Sequence, residues 1–384
     1  MIYFDQAASS FPKPNEVIEA MVKTMNEFGA NPGRGSHQLA RQANETINSA
    51  RRVIAEWIGC RDPKHILFFS NATTALNQAI KGLNWVKGDH VITTSFEHNS
   101  VRRPLEFVKQ HYGIHITYVT GQSDQESFIK KFESSITDRT RLIVITHASN
   151  VTGEVLPLDA LIQVAKRNNI MILLDASQTI GHTKINMEQQ NIDMVAFPGH
   201  KGALGPQGIG VLAIRQKFDL TPLHHGGTGA LSHMIDQPET WPERYESGTL
   251  NTPGIAGLSA AISLLKQNDK DIVPRETILI NKLLRELQGV RNVTLYGPPP
   301  SNNRLPIAAF NINNISSQEI AMILDSHYNI AVRAGLHCSP LTHDTLQTME
   351  QGIIRASLSR YNTEEEVITF LEAIEEIVKA YEEF

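Results

Sequence analysis

The sequence contains few cysteines, no excess of basic residues and no long apolar run. Cys60 and Cys338 are its two cysteines, too few for a disulfide framework or a zinc site. The 35 basic and 40 acidic residues give a formal charge of −5, which argues against general binding to nucleic acid or membrane surfaces. No apolar run approaches the length of a membrane span, and Met1-Ile2-Tyr3-Phe4-Asp5 does not resemble a secretory signal. We therefore expect a soluble protein of a reducing compartment, the cytoplasm, without a metal site.

At 384 residues the chain is too long for one simple core, so two domains are expected. Apolar runs separated mostly by helix-length intervals lie at 66–69, 91–93, 116–119, 142–145, 170–174, 194–197 and 209–214. Such runs are typical of strands buried on both faces, and they predict an α/β fold with a mainly parallel seven-stranded sheet covered by helices. Too few residues join the last two runs for a helical crossover, so one antiparallel strand is expected there.

The later part of the chain lacks strict alternation of strands and helices. Helices are predicted near 255–266, 273–287 and 364–381, and short strands near 293–295, 307–312, 330–333 and 353–357. This arrangement is typical of a smaller α+β domain. We expect an N-terminal segment at 1–15 that packs with the small domain, a large domain at 16–254 and a small C-terminal domain at 255–384.

Asp175 and Lys201, both at predicted strand ends, are the strongest candidates for chemistry. Asp175 ends the run 170–174, and Lys201 follows the run 194–197 between Gly199 and Gly202. Ligands of open α/β sheets bind beyond the carboxyl ends of the strands. Pyridoxal 5'-phosphate (PLP) requires a lysine that forms a Schiff base and an acidic partner for its pyridinium nitrogen. The alternative is a surface lysine in a glycine-rich loop together with a capping aspartate; the pair at this spacing favours the cofactor.

Four further stretches follow or begin predicted elements. Residues 70–77 open a helix, where free N–H groups suit a phosphate; simple helix capping is the alternative. His98 can stack on a flat ring or move a proton, or it is an ordinary loop histidine. Cys338, in a loop bounded by glycine and proline, is an exposed nucleophile or an inert thiol. Arg355 can hold a substrate carboxylate or form a surface ion pair.

Together these stretches resemble the cysteine desulfurase and selenocysteine lyase family of class V aminotransferases, which have the PLP-dependent transferase fold of type I. The resemblance runs nearly end to end, with the motifs in the right order. The matching stretches are Phe4-Asp5-Gln6-Ala7-Ala8, Arg34-Gly35-Ser36-His37, Ala72-Thr73, Glu97-His98, Ser149-Asn150, Asp175-Ala176-Ser177-Gln178, Gly199-His200-Lys201, Gly248-Thr249, His337-Cys338 and 355–366.

The resemblance implies PLP as the cofactor and a role for each matching residue around it. Lys201 is similar to the Schiff-base lysine, Asp175 to the partner of the pyridine nitrogen, and His98 to the histidine stacked on the ring. Gln178 is similar to the donor to the phenolic oxygen. The phosphate would be held by Ala72, Thr73 and His200. Thr249 resembles a residue that reaches the phosphate of the neighbouring subunit, which implies a homodimer.

On the substrate side, the resemblance implies L-cysteine or L-selenocysteine, with catalysis by Lys201, His98 and Cys338. Substrate contacts are implied for Ala8, His37, Asn150, Arg333 and Arg355. The implied reaction converts L-cysteine to L-alanine and leaves the sulfur on Cys338 as a persulfide. A sulfur-acceptor protein could take it onward, as in iron–sulfur cluster biogenesis.

Two departures from the family pattern concern the phosphate site and one loop. Pro198 stands where relatives often carry serine or threonine, and the stretch from Cys338 to Arg355 differs slightly in length. Three other functions remain open: a selenocysteine lyase independent of Cys338, another class V aminotransferase activity, and a non-catalytic sulfur-carrier scaffold. A nucleotide-binding Rossmann protein is disfavoured because no G-x-G-x-x-G follows the first strand.

Overall fold

The computed structural model describes residues 1–33, 35–120, 124–229, 231–267, 272–301 and 303–382. Arg34, part of one matching motif, lies outside the described residues. The strands are β1 (Ile2–Tyr3), β2 (Ile66–Phe69), β3 (His90–Thr94), β4 (His115–Val119), β5 (Thr140–Thr146), β6 (Met171–Asp175), β7 (Met194–Pro198), β8 (Gly210–Ile214), β9 (Val293–Tyr296), β10 (Ile307–Ile312), β11 (Ile330–Ala331), β12 (Arg333–Gly335) and β13 (Ile353–Ser357).

The helices alternate with the strands in the first part of the chain. They are α1 (Asn15–Phe28), α2 (Gln38–Ile58), α3 (Ala72–Lys81), α4 (Asn99–Tyr112), α5 (Gln125–Ser134), α6 (Leu158–Arg167), α7 (Met187–Gln190), α8 (Thr252–Gln267), α9 (Ile272–Gly289), α10 (Ser317–Tyr328), α11 (Pro340–Leu346) and α12 (Glu364–Glu382), with a short 3-10 turn at Pro63–His65. Among the described helices, none combines the length and apolarity needed to cross a bilayer.

Seven strands form the large sheet, in the order β2-β8-β7-β6-β5-β3-β4. Strand β8 is antiparallel to both its neighbours, and the remaining pairs are parallel. Successive side chains of one strand enter two different cores: Ile172 and Leu174 pack on one face and Leu173 on the other. Because both faces are covered, the strands require continuous apolar runs. The predicted fold, including its single antiparallel strand, is confirmed.

A four-stranded antiparallel sheet, β12-β13-β10-β9, forms the small sheet, and β1 pairs with β11 in a separate parallel ribbon. The single strand predicted at 330–333 is therefore two strands, because 330–331 pairs with the N terminus while 333–335 joins β13. Phe4 is fully buried in the core of this region, and Asp5 forms a bridge with Ser357. The first residues of the chain thus pack against the small sheet.

The domain boundary expected at 254/255 falls inside helix α8. Ile255, Leu258 and Ile262 of this helix pack in the same core as the large sheet and α2. Ala261 and Leu265 pack against Val17 of α1. Because α8 buries its apolar side against the large unit, we propose that the division follows Gln267, the last described residue of that helix.

Gly210, at the start of β8, lets this strand approach the turn that opens α3. A Cβ atom at this position would lie 2.2 Å from the Asn71 carbonyl carbon and 2.6 Å from the Ala72 nitrogen. Both contacts involve backbone atoms, which cannot rotate away as a flexible side chain could. The close approach therefore excludes any residue larger than glycine without movement of the 71–72 turn.

We expect Gly210→Ala to lower the free energy of unfolding by about 1–3 kcal/mol, the usual cost of overpacking. Urea denaturation measures this change. Gly289→Ala is the matched control, because a Cβ atom there meets nothing within 4 Å. Equal stability of the two variants would contradict the close approach.

Candidate active site

A cavity of about 230 Å³ opens where the large sheet meets the small one. Twelve of the fourteen sequence-predicted site residues line it: Ala8, Ala72, Thr73, His98, Asn150, Asp175, Gln178, His200, Lys201, Arg333, Cys338 and Arg355. Most of the cavity residues from the large domain lie at or shortly after the carboxyl ends of β3, β5, β6 and β7. This is the edge of a parallel α/β sheet at which ligands bind. The small sheet supplies both arginines and the loop that carries Cys338.

Asp175 is the last residue of β6 and Lys201 lies three residues after β7, the neighbouring strand, so both face the same cavity. Asp175 is buried, and its Oδ1 accepts a hydrogen bond from the Ser177 backbone N–H at 2.9 Å. Burial raises the pKa of Asp175, while Ser177 and Lys201 oppose that shift. Burial lowers the pKa of Lys201 to about 8, and Asp175 opposes this shift in turn. The lowered pKa leaves more of the amine uncharged, and hence nucleophilic, than in a surface lysine.

His98 is held in one tautomer by the start of α4. Its Nδ1 accepts a hydrogen bond from the Ser100 backbone N–H at 3.0 Å, so the proton of the neutral ring resides on Nε2. Burial, with help from Lys201 and nearby arginines, lowers the pKa of His98 to about 4. The ring is therefore neutral at physiological pH. The Ser100 hydroxyl lies 2.7 Å from Nδ1 and 2.8 Å from the Thr73 hydroxyl, which links His98 to α3.

The N-terminus of α3 offers an anion-binding site. Asn71 caps the helix by accepting a hydrogen bond from the Thr74 N–H at 2.9 Å, and the first N–H groups of a helix have no partner within it. The cavity here also includes the side chains of Thr73 and His200. Burial, followed by Lys201 and Lys13, lowers the pKa of His200 to about 4, so its imidazole is neutral.

Residues of the N-terminal segment fix the peptide that precedes Lys201. The carbonyl oxygen of His200 accepts hydrogen bonds from the Ser10 N–H at 2.9 Å and from Lys13 Nζ at 3.0 Å. Burial lowers the pKa of Lys13 to about 8. Gln178 is also tied to this segment, because its Nε2 donates to the Ala7 carbonyl oxygen at 3.1 Å. The segment therefore forms one wall of the cavity and holds the loop of the candidate nucleophile.

Two arginines on adjacent strands of the small sheet place positive charge at the cavity. Arg333 of β12 is directly opposite Arg355 of β13. Arg355 is buried; its Nη1 donates to the Asn150 carbonyl oxygen at 2.8 Å, and its Nη2 donates to Asp5 Oδ1 at 3.0 Å. Burial lowers the pKa of Arg355, and Asp5 opposes that shift. Two like charges so close favour an anionic ligand such as a carboxylate.

Cys338 is exposed on a loop of unusual backbone conformation. Both His337 and Cys338 have left-handed backbone angles, with φ of +50° and +58°. By contrast, Cys60 is buried, and burial raises the pKa of its thiol to about 11. The two cysteines therefore differ as their sequence surroundings predicted, and Cys338 is the accessible thiol.

The structure does not bring His37 or Thr249 into the cavity of their own chain. His37 is exposed at the start of α2, where its Nδ1 accepts a hydrogen bond from the Ala40 N–H at 3.3 Å. His37 therefore caps a helix outside the cavity of its own chain, and its predicted contact with substrate stays a prediction. Thr249 is exposed, and its hydroxyl accepts from Asn31 Nδ2 at 3.3 Å. Its predicted role in a neighbouring subunit stays a prediction.

Several cavity residues were not predicted as site residues. They are Ala7, Asn71, Ser100, Thr146, Ser177, Pro198 and His337. Ser100 and Ser177 each stand two positions after a predicted residue, and their backbone N–H groups bond to its side chain. Local turns of this kind are a recognisable signal. Thr146 gives no such signal, because it reaches the cavity only through the pairing of β5 with β6.

Comparisons with known proteins agree with this geometry. The family model for class V aminotransferases matches residues 2–370. A probable cysteine desulfurase of Pyrococcus abyssi is 33% identical, over 99% of this chain and 95% of the relative. A cysteine desulfurase of Salmonella agona is 33% identical, over 96% and 91% of the two chains.

Solved structures show the same similarity. The apo structure of a cysteine desulfurase from Thermococcus onnurineus superposes with a TM-score of 0.90 at 32% identity, covering 99% of this chain and 95% of that one. A cysteine desulfurase from Escherichia coli, described in its S-sulfonic acid form, gives a TM-score of 0.87 at 25% identity, covering 98% and 94%. The family predicted from the sequence is thus confirmed: the chain belongs to the class V aminotransferases, in the group of the cysteine desulfurases.

Proposed function

We propose that this protein is a PLP-dependent cysteine desulfurase that converts L-cysteine to L-alanine and transfers the sulfur to Cys338. One observation carries the proposal: a buried carboxylate, an amine with a lowered pKa, two arginines and an exposed thiol line the same cavity. These are the groups required to hold the cofactor, bind an amino acid carboxylate and accept sulfur. The relatives named as cysteine desulfurases support the substrate.

The residues present fit PLP in both charge and space. The start of α3, with the Thr73 hydroxyl, suits the phosphate, and Gly210 keeps that turn from being displaced by a side chain. Asp175 would partner the ring nitrogen, whose positive charge would offset the cost of burying the carboxylate. His98 would lie against the ring, and Gln178 and His200 would hold its oxygen and phosphate. Pro198 offers no hydroxyl to the phosphate. The Ser100 hydroxyl, which is within hydrogen-bond distance of Thr73, is a second hydroxyl at this site.

When bound, PLP supplies an electron sink for bonds at the substrate Cα. The protein supplies the rest of the chemistry. Lys201, with its lowered pKa, provides an amine that can take a proton near neutral pH. His98 carries a proton on Nε2 that it can donate, because Nδ1 is occupied by Ser100.

The two arginines would bind the substrate carboxylate. The Nε of Arg355 is buried and has no hydrogen-bond partner among the described residues, so the guanidinium keeps capacity for an additional acceptor. The Cys338 thiolate then attacks the substrate sulfur. The Sγ–S bond forms as the Cβ–S bond breaks, and the carbon fragment takes up a proton to leave as alanine. Because Cys338 is exposed, an acceptor protein can reach the persulfide.

Lys201→Ala should abolish covalent attachment of PLP. In the wild type, borohydride reduction followed by peptide mass spectrometry should place the cofactor on Lys201. The rate at which apoprotein captures PLP should rise about tenfold per pH unit below pH 8 and level off above it, because the uncharged amine is the reactive form. Attachment at another lysine, or activity retained by the variant, would contradict the assignment.

Cys338→Ser should bind PLP normally but lose alanine formation from cysteine by about a hundredfold or more, because the sulfur-accepting nucleophile is gone. Assays of alanine and sulfide measure this loss. Cys60→Ser serves as the control, since Cys60 is buried away from the cavity. Full activity in the Cys338 variant would instead favour a lyase that does not use a protein thiol.

We also propose a homodimer in which Thr249 reaches the partner's phosphate site. Leu231, Met234 and Ile235 are exposed apolar residues in the same region of the chain, and Ile235 is fully exposed. A shallow depression lined by Thr249 and Leu231 accompanies them. Exposed apolar groups so close together are typical of a surface that another protein covers.

Sedimentation analysis should show the holoprotein at twice the mass of one chain. Thr249→Ala should remain dimeric and bind PLP about tenfold more weakly, the effect of losing one charge-assisted hydrogen bond. A monomeric holoprotein with full PLP affinity would contradict both parts of this proposal.

A further inference from the structure

Asn150 holds the Cys338 loop on both sides of the thiol. Its Nδ2 donates a hydrogen bond to the His337 carbonyl oxygen at 2.8 Å, and its Oδ1 accepts one from the Ser339 hydroxyl at 2.6 Å. All three residues are buried, and Ser339 has no exposed surface at all. The residues before and after Cys338 are therefore both bonded to the same side-chain amide, although Cys338 itself is exposed.

The backbone of the loop requires such support. Left-handed angles at two consecutive non-glycine residues, His337 and Cys338, are unfavourable for L-amino acids. Two other contacts assist: the Cys338 carbonyl oxygen accepts from the Asn99 N–H at 2.8 Å, and His337 Nε2 donates to the Ile353 carbonyl oxygen at 2.9 Å. Without these contacts the loop would relax to other backbone conformations, and the thiol would leave its present position.

Asn150 also connects the loop to the proposed carboxylate site. Its backbone carbonyl accepts the hydrogen bond from Arg355 Nη1 at 2.8 Å. One residue of the turn that follows β5 thus contacts both the arginine proposed for the substrate carboxylate and the loop that carries the sulfur acceptor. Its side chain is committed to the loop on both its donor and its acceptor atoms.

We propose that Ser339 and Asn150 act together as a clamp that positions the Cys338 thiol for sulfur transfer. Ser339 is a positioning residue: it does not line the cavity, and it acts through Asn150. This role differs from carboxylate binding, which the family resemblance implies for Asn150, and it rests on the proposed desulfurase function. In this proposal the clamp affects the step in which the Sγ–S bond forms. It has no part in binding the substrate carboxylate.

Ser339→Ala tests the clamp without altering any residue that lines the cavity. Hydrogen–deuterium exchange of the full-length apoprotein and holoprotein, measured on peptides that cover residues 335–346, should be about fivefold faster in the variant because one hydrogen bond is lost. Thr345→Ala is the matched control: it removes a hydroxyl from α11, the helix that follows Ser339, and the exposed Thr345 hydroxyl donates to the Leu341 carbonyl oxygen of that same helix. The control should exchange as the wild type does.

The kinetic consequence separates positioning from substrate binding. Single-turnover formation of the Cys338 persulfide should slow about fivefold in Ser339→Ala, with kcat reduced and KM for cysteine unchanged. The Asn150→Ala/Ser339→Ala double variant should exchange no faster at 335–346 than Asn150→Ala alone, because the two residues act through the same bond. Additive effects would show that they do not form one clamp.

Unchanged exchange in Ser339→Ala, or a raised KM with normal persulfide formation, would overturn the clamp. Equal effects of Ser339→Ala and Thr345→Ala would do so as well. Failure of the wild type to form any persulfide would refute the desulfurase function instead. In that case the exchange experiment still decides whether Asn150 and Ser339 hold the loop, since it requires no turnover.

Discussion

The attraction between the Asp175 carboxylate and the Lys201 amine is the interaction around which the cavity is arranged. Burial alone would neutralise both groups, because it raises the pKa of the acid and lowers that of the base. The charge of each residue opposes the pKa shift of the other, and hydrogen bonds from Ser177 oppose the shift of Asp175 more strongly than Lys201 does. The pairing of β6 with β7 brings the two strand ends side by side, and Ser10 and Lys13 hold the peptide that precedes Lys201.

The small sheet completes the site by adding positive charge and a thiol. Arg333 and Arg355 lie on adjacent strands, and Asp5 from the N-terminal segment offsets part of their charge. The same segment holds the His200 carbonyl through Ser10 and Lys13. Residues far apart in the sequence therefore meet at one cavity. The N-terminal segment contacts both Arg355 and the His200 carbonyl. A movement of this segment would therefore affect both the proposed carboxylate site and the loop that carries Lys201.

Much of this arrangement could be predicted from the sequence because its signals are local. Continuous apolar runs predict strands buried on both faces, and polar residues that end them, such as Asp175, lie at the carboxyl edge of the sheet. One prediction was wrong because a strand's neighbours come from elsewhere in the chain. The strand predicted at 330–333 divides between two sheets, because its first residues pair with the N-terminal strand β1 and its last residue begins β12, which pairs with β13.

The α/β class, the seven strands of the large sheet and the chemical groups available to the site could all be read from the amino-acid sequence. Each of these follows from periodicity and residue type within short stretches. The contact between Asn150 and Ser339, the pairing of Arg355 with Asp5 and the packing of α8 on the large sheet became visible only in the folded chain. Such contacts join residues that lie tens to hundreds of positions apart, and no local pattern specifies which of many possible partners will meet.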